Sequence, residues 1–424
     1  MTKTPVLFII CLSFLTVFSA FETRAEAEKP VEVKLVQSED GWSLERAGQP
    51  YRIRGAGGNA SLEQLARLGG NSTRTWGIDQ LEAGKLDEAW KAGLTAVAGI
   101  WLRHDLDYSD EAQVAEQTRL AVDAVRQYKN HPAVLLWGIG NEMEGGGDRL
   151  EVWRHIETLA ALIKKEDPLH PTMTVIAEIG GPKLKNLHQH CPSIDIVGIN
   201  AYGGAASIPE RYREAGGTKP YILAEYGPRG PWDFGKNAIG SVDEELMTVK
   251  AATYLKSYQA ARDDTRLCLG SYAFKWGHKQ EATPTWFGMF LSDGRKTPIV
   301  DVLAEEWSGQ PVKNRSPRIE SLTLEGGNQV KVKAVVKARL VATDPEKKPL
   351  QVRWVLMEDA KRHETAGYFQ ETPPSFDDHL LKTDAEEATF RVPDKPGLYR
   401  IFAYAGDGEG SADSANVVFR AEKE

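Results

Sequence analysis

Trp137-Gly138-Ile139-Gly140-Asn141-Glu142 closes an apolar run that begins at Ala133. An unbroken apolar stretch between turn signals reads as a strand of a parallel sheet, buried on both faces. A strand that ends in Asn-Glu delivers an amide and a carboxylate to the rim of its sheet. The simpler reading is a strand followed by a polar helix start, with Asn141 as the cap. A second apolar run, Tyr221 to Ala224, also closes on a glutamate, Glu225, and the repetition favours a site over a cap.

Outward from this stretch, strand and helix periods alternate. Residues 28–50 read as an N-terminal hairpin, leading into a strand that ends at Gly55-Ala56-Gly57-Gly58. Strand patterns then fall at 71–76, 95–102, 133–141, 173–177, 194–200, 221–224 and 268–276. Helical spacing separates them, most clearly at 110–128, 148–165 and 243–262, with a last helix at 297–307. Counted from Tyr51, eight strands and eight helical stretches occupy about 255 residues, the usual size of a (β/α)8 TIM barrel. The barrel is therefore assigned to residues 51–308. An open doubly wound sheet is the alternative. It would want a phosphate loop after an early strand, and Gly55-Ala56-Gly57-Gly58 lacks the GxGxxG spacing.

Residues 309–317 read as a linker by composition. From 318 to 424 the helical period disappears. Short alternating segments separated by turns predict an all-β sandwich of immunoglobulin-like type, with Trp354 as its core anchor. It is similar to the small accessory sandwiches of many secreted glycosidases. Asp344-Pro345-Glu346 reads as an acidic turn rather than a calcium site.

At 424 residues the chain exceeds one ordinary domain. A net charge of −8 without a dense basic block argues against nucleic acid and anionic membrane surfaces as partners. Residues 1–27 read as a secretory signal: Lys3, an apolar run over 6–18 too short for a stable span, and a small-x-small site at Ala25-Glu26-Ala27. The mature chain is expected to be secreted or periplasmic, without membrane insertion. Cys191 and Cys268 remain after cleavage, and nothing in the sequence requires them to pair. No Cys/His cluster has zinc spacing, so neither metal nor cofactor is expected.

A glycosidic bond is cut by two carboxyl groups on opposite sides of the sugar, one protonating the leaving oxygen and the other attacking or activating water. In a barrel these groups belong at the C-terminal ends of different strands. Glu142 follows strand four and Glu225 ends strand seven. Three βα units part them, so both face one mouth. Glu178, after strand five, is the rival carboxylate.

His131-Pro132-Ala133 through Glu142, taken with Ala224-Glu225-Tyr226-Gly227, resembles the clan A retaining glycosidases, above all the catalytic barrel of glycoside hydrolase family 2. A likeness to clan A β-1,3-glucanases and glucanosyltransferases accompanies it. The resemblance implies Glu142 as acid/base, Glu225 as nucleophile and Asn141 as partner of the sugar 2-hydroxyl. It also implies that Arg74 keeps Glu225 ionised while Glu142 holds its proton, that Tyr202 hydrogen-bonds the nucleophile, and that Trp276 floors the subsite of the cleaved sugar. From the neighbouring loops, His104, Trp232, His278, Gln280, Glu281 and Trp286 are candidate substrate contacts.

The chain departs from family 2 in having only about twenty mature residues before the barrel, and in carrying the sandwich after it. Substrate preferences of that family are therefore not carried over. Loops rich in Trp and Gly point to a β-glucan-like chain. The expected activity is retaining hydrolysis of such a β-linked glycan. Transglycosylation by the same residues is the alternative, and a non-catalytic carbohydrate-binding protein or a scaffold acting through the sandwich are rivals of other classes.

Overall fold

The computed structural model describes residues 29–363 and 370–423. The signal segment assigned to 1–27 lies outside the described residues. The chain opens with a three-stranded antiparallel meander, β1 (Val33–Ser38), β2 (Gly41–Arg46) and β3 (Gln49–Tyr51), one strand more than the expected hairpin. Its Val33 and Leu44 join the inner barrel core. Backbone bonds from Val33 to Leu169 and from Trp42 to Arg266 fasten the meander to the loops at the N-terminal ends of the barrel strands.

Eight parallel strands then close into a barrel: β4 (Ile53–Gly58), β5 (Ser72–Arg74), β6 (Thr95–Ile100), β7 (Val134–Asn141), β8 (Thr172–Ala177), β9 (Ile196–Ala201), β10 (Tyr221–Tyr226) and β11 (Cys268–Trp276). Pairing runs in chain order and β11 returns to β4. Val97, Leu136, Met173, Ile196, Ile222 and Leu269 fill the interior. A second, larger core lies between the strands and the outer helices. Strands buried on both sides in this way need continuous apolar runs, which is why 133–139 carries no polar residue.

Nine helices wrap the barrel among the described residues, α1 (Leu62–Arg67), α2 (Ile78–Glu82), α3 (Lys85–Lys91), α4 (Glu111–Tyr128), α5 (Leu150–Glu166), α6 (Lys183–His190), α7 (Ile208–Glu214), α8 (Met247–Asp263) and α9 (Pro298–Ser308). Gly84, whose φ of +81° is left-handed, parts α2 from α3. Asp110 caps α4 by accepting from the amides of Ala112 and Gln113 at 3.0 and 3.1 Å, a device worth about 1 kcal/mol. Gly309, at φ +68°, ends α9.

Two four-stranded sheets follow. One is β12 (Arg318–Leu324), β14 (Val335–Thr343), β17 (Glu387–Arg391) and β16 (Leu380–Thr383); the other is β13 (Gln329–Lys331), β19 (Ala412–Glu422), β18 (Gly397–Gly406) and β15 (Gln351–Glu358). All pairings are antiparallel except β13 with β19. Ile319, Leu340, Trp354, Phe390, Ile401 and Phe419 share the core between the sheets, and Trp354 donates to the Asp384 carbonyl at 2.8 Å. Between β13 and β14 the chain turns at Lys333, with φ +63°.

The segment 309–317 is pinned rather than loose. Ser316 N donates to Asp301 at 2.6 Å, and Asn314 donates to Asp407 and Ser411 at 2.6 and 2.9 Å. Cys191 and Cys268 are buried free thiols. Among the described residues no helix is long and apolar enough to cross a membrane.

Candidate active site

The C-terminal ends of four barrel strands bring one polar cluster together, and a fifth adds an aromatic ring. Arg74 is the last residue of β5, Asn141 the last of β7, and Asn200 and Glu225 the penultimate residues of β9 and β10. Glu142 and Tyr202 follow β7 and β9, and Phe274 lies near the end of β11. Pairing slips between Gly138 and Asn141 on the β7–β8 edge and between Leu223 and Glu225 on the β9–β10 edge. Such irregularities re-aim side chains at a strand end. Glu142 itself takes φ +56°, the left-handed region, which costs a non-glycine residue about 1 kcal/mol.

Glu225 sits among donors. Arg74 Nη1 reaches its Oε1 at 2.9 Å, Trp76 Nε1 reaches the same oxygen at 2.8 Å, and the Tyr202 hydroxyl donates to Oε2 at 2.6 Å. Burial and the neighbouring Glu225 raise Tyr202 well above the usual phenol range, so it stays an O–H donor. Arg74 also donates from Nη2 to Asn141 Oδ1 at 2.6 Å, and its guanidinium carbon lies 5.1 Å from the centre of the Trp76 ring.

Glu142 sits in a different environment. Its one side-chain hydrogen bond among the described residues comes from Asn200 Nδ2, at 2.7 Å from Oε1. Asn200 also reaches Asn141 Oδ1, at 3.2 Å. A continuous path thus runs Glu142–Asn200–Asn141–Arg74–Glu225. Burial first, and the charge of Glu225 second, push the Glu142 carboxyl up to about 7. One carboxyl therefore holds a proton near neutrality, while the other accepts hydrogen bonds from Arg74, Trp76 and Tyr202. Such a pair can protonate a leaving oxygen and present a nucleophilic oxygen at once.

Aromatic rings wall the cleft beside Glu225. Tyr202 meets Trp232, Phe274 and Phe287 edge to face, with centroids 5.7, 5.9 and 5.4 Å away. Trp232 is 47% exposed and lies nearly parallel to Phe287. Next to Gly77 stands the exposed Trp101, whose ring lies 5.3 Å from that of His104, also exposed. Among the described residues His104 makes no hydrogen bond to Glu142 or Glu225.

Two sequence expectations are corrected. Trp276 is fully buried: its ring meets Phe290 and Trp307 in the layer between barrel and helices, and its Nε1 donates to Ser61 O at 3.0 Å. No face is left for a sugar. Pairing with β4 slips between Phe274 and Trp276, which puts two residues of one strand on opposite sides. Trp286 is buried too, donating to Arg229 O at 2.9 Å under Phe234, so it supports the wall from behind. Glu178 points into a partly exposed ion pair with Arg211 at 2.7 Å, outside the cluster. His278 and Glu281 are respectively half-buried and buried in the loop after β11.

Sequence reasoning missed Trp76 and Asn200. Asn200 carries a readable signal, a polar residue inside the apolar run 196–201. Trp76 closes the strand pattern expected over 71–76, but β5 stops at Arg74 and only the fold turns the Trp76 ring to Glu225. Among the described residues no group of three or more His, Cys, Asp or Glu is placed to hold a metal ion.

Residues 86–268, which include Glu142 and Glu225, match the family described as Glycosyl hydrolases family 2, TIM barrel domain. The resemblance to a clan A, family 2-like barrel is thereby borne out. Over 130 residues the chain is 29% identical to a Beta-glucuronidase of Bacteroides fragilis, covering 24% of this chain and 18% of that one. Among solved structures, a beta-glucuronidase of Bacteroides uniformis superposes with a TM-score of 0.51 at 16% identity, over 92% of this chain and 48% of that one. A GH2 beta-galacturonidase from Eisenbergiella tayi, bound to galacturonate, gives 0.51 at 17% identity, over 66% and 54%. At these identities the structural likeness speaks for the fold. The chain spans about half the length of these solved structures.

Proposed function

We propose that the protein is a retaining β-glycoside hydrolase acting on a β-glucan-like chain, with Glu225 as nucleophile and Glu142 as acid and then base. The observation that carries this reading is the contrast between the two carboxyl groups joined through Asn200, Asn141 and Arg74: one raised to about 7, one surrounded by three donors. Glu225 attacks the anomeric carbon as Glu142 gives its proton to the departing oxygen, leaving a glycosyl ester. Glu142, now a carboxylate, takes a proton from water as that water attacks the same carbon, and Glu225 is released. Asn141, fixed by Arg74 and Asn200, is placed to meet the sugar 2-hydroxyl.

The exposed rings of Trp232 and Trp101 support a glycan chain as substrate, since apolar sugar faces stack on such rings. A sugar hydroxyl arriving in place of water would make the enzyme a transglycosylase with the same residues. A second substrate reading, a β-uronide, is favoured by one observation: the Lys279 ammonium lies 4.8 Å from the centre of the Phe274 ring at the cleft, with Lys275 nearby. The names of the relatives, glucuronidases and a galacturonidase, point the same way. Export by the segment 1–27 belongs to this proposal and is checked by N-terminal sequencing of the mature chain.

The deciding experiment is a panel of β-glucan oligosaccharides, aryl β-glucosides and aryl β-uronides, scored for product length. Release of shorter β-glucan products supports the main reading, and longer products support transfer. Turnover of uronides alone replaces the substrate class. Glycan binding without turnover anywhere overturns the hydrolase in favour of a binding protein.

A further inference from the structure

The C-terminal sandwich reaches the cleft through a buried polar chain. Arg400, on β18 and 2% exposed, donates from Nε to Asp359 at 2.5 Å, from Nη2 to Ser241 Oγ at 3.1 Å, and from Nη1 to Asn416 Oδ1 at 2.7 Å. Asn416, on β19, donates in turn to Glu244 Oε2 at 2.6 Å. Glu244 belongs to the barrel loop before α8. Its carboxylate also accepts from Thr283 at 2.5 Å, from Thr285 at 2.9 Å and from Lys250 Nζ at 2.5 Å. Lys250 passes the connection on to the carbonyls of Thr285 and Trp286, at 2.8 and 3.1 Å.

A second strut comes from the sandwich loop after β15. Gln370 Oε1 accepts from the amide of Ala282 at 2.7 Å, and Ala282 holds a left-handed φ of +59°. Both struts converge on residues 282–287. That segment ends in Phe287, whose ring packs on Tyr202, Phe274 and Trp232, one hydrogen bond away from Glu225.

Charged groups this deeply buried are costly unless their partners are fixed. A module swinging on a tether would strip Arg400 of Ser241 and the Val242 carbonyl, and Glu244 of Asn416, at every excursion. The contact therefore has one geometry, and segment 282–287 inherits it.

We propose that the sandwich is a positioning element of the cleft, and that Asn416 and Gln370 are positioning residues that hold the 282–287 wall against Tyr202 and Trp232. This rests on the hydrolase reading for its kinetic consequence. The test uses the full chain with Asn416→Leu and Gln370→Leu, which remove the amide and keep the bulk. Hydrogen exchange of the 282–287 amides is measured beside kcat, KM and the pH profile. Exchange is expected to quicken about tenfold or more in both variants, with a rise of about tenfold in KM and the limb near pH 7 unmoved. Thr283→Val should reproduce the effect from the barrel side and Thr283→Ser should restore it, which keeps the test alive if Asn416→Leu fails to fold. Unchanged exchange, or quickened exchange with unchanged KM, overturns the proposal. If the wild type turns over no β-glycoside, the hydrolase reading fails, and exchange at 282–287 alone decides whether the sandwich holds the wall.

Discussion

Arg74 and Glu225 meet at 2.9 Å with side chains 3% and 7% exposed, although 151 residues separate them in the chain. The pair sits where β5 and β10 end, and it divides the cluster into a cationic half around Glu225 and a proton-holding half around Glu142. Removing one partner of such a pair leaves a buried charge without its counter-ion. Arg74→Met is expected to lower kcat by about 10²- to 10³-fold, with little change in KM. The same change should cost about 3 kcal/mol of stability. Steady-state kinetics beside a urea titration separates the two effects.

Glu142 sets the pH dependence. Its carboxyl must carry a proton to act as acid, and that proton is held up to about 7. The kcat/KM profile should therefore fall on the alkaline side with a midpoint near 7. Glu142→Gln should abolish that limb together with most of the activity toward poor leaving groups. A profile flat through pH 8 would refute the assignment.

The same shift has a stability consequence with a definite sign. The folded-state value lies above the ordinary 4.5, so the folded protein binds more protons than the unfolded chain between about 4.5 and 7. Stability from this group is whole below pH 4.5 and is lost as pH rises through 7. Glu142→Gln should thus match the wild type at pH 4 and exceed it at pH 8, by on the order of 2 kcal/mol. Denaturant midpoints at the two pH values check this.

Trp276 and Trp232 should behave as opposites. Trp276→Phe opens space in the barrel–helix layer and should cost about 1–3 kcal/mol while kcat/KM stays within about twofold. Trp232→Ala removes an exposed ring and should leave Tm nearly unchanged while KM for a glycan chain rises about tenfold. Melting curves and kinetics on both variants make the comparison.

The contrast between these tryptophans also shows what could be read in advance. Apolar runs that stop at a polar residue made Asn141, Glu142 and Glu225 legible on one rim, while Arg74 and Tyr202 were picked out by the family resemblance. Sidedness was not legible. Trp276 ends β11 as Glu225 nearly ends β10, yet a slip in pairing with β4 turns it to the outer layer, and pairing slips leave no mark in composition. Trp76 escaped notice because a loop after β5 folds its ring back over Arg74. The sandwich was legible from its short alternating segments, but its grip on the cleft was not. Arg400, Asn416 and Glu244 are distant polar residues whose meeting depends on how the two parts dock.

A covalent glycosyl bond to Glu225 is checked by mass mapping after trapping. The enzyme is incubated with a 2-deoxy-2-fluoro-β-glucosyl fluoride, or the matching uronosyl fluoride, then digested and sequenced by mass spectrometry. One added fluoro-sugar per chain is expected, on the peptide that contains Glu225 and at Glu225 itself. A label on Glu142 or Glu178, or turnover with inverted anomeric configuration and no label at all, would contradict it.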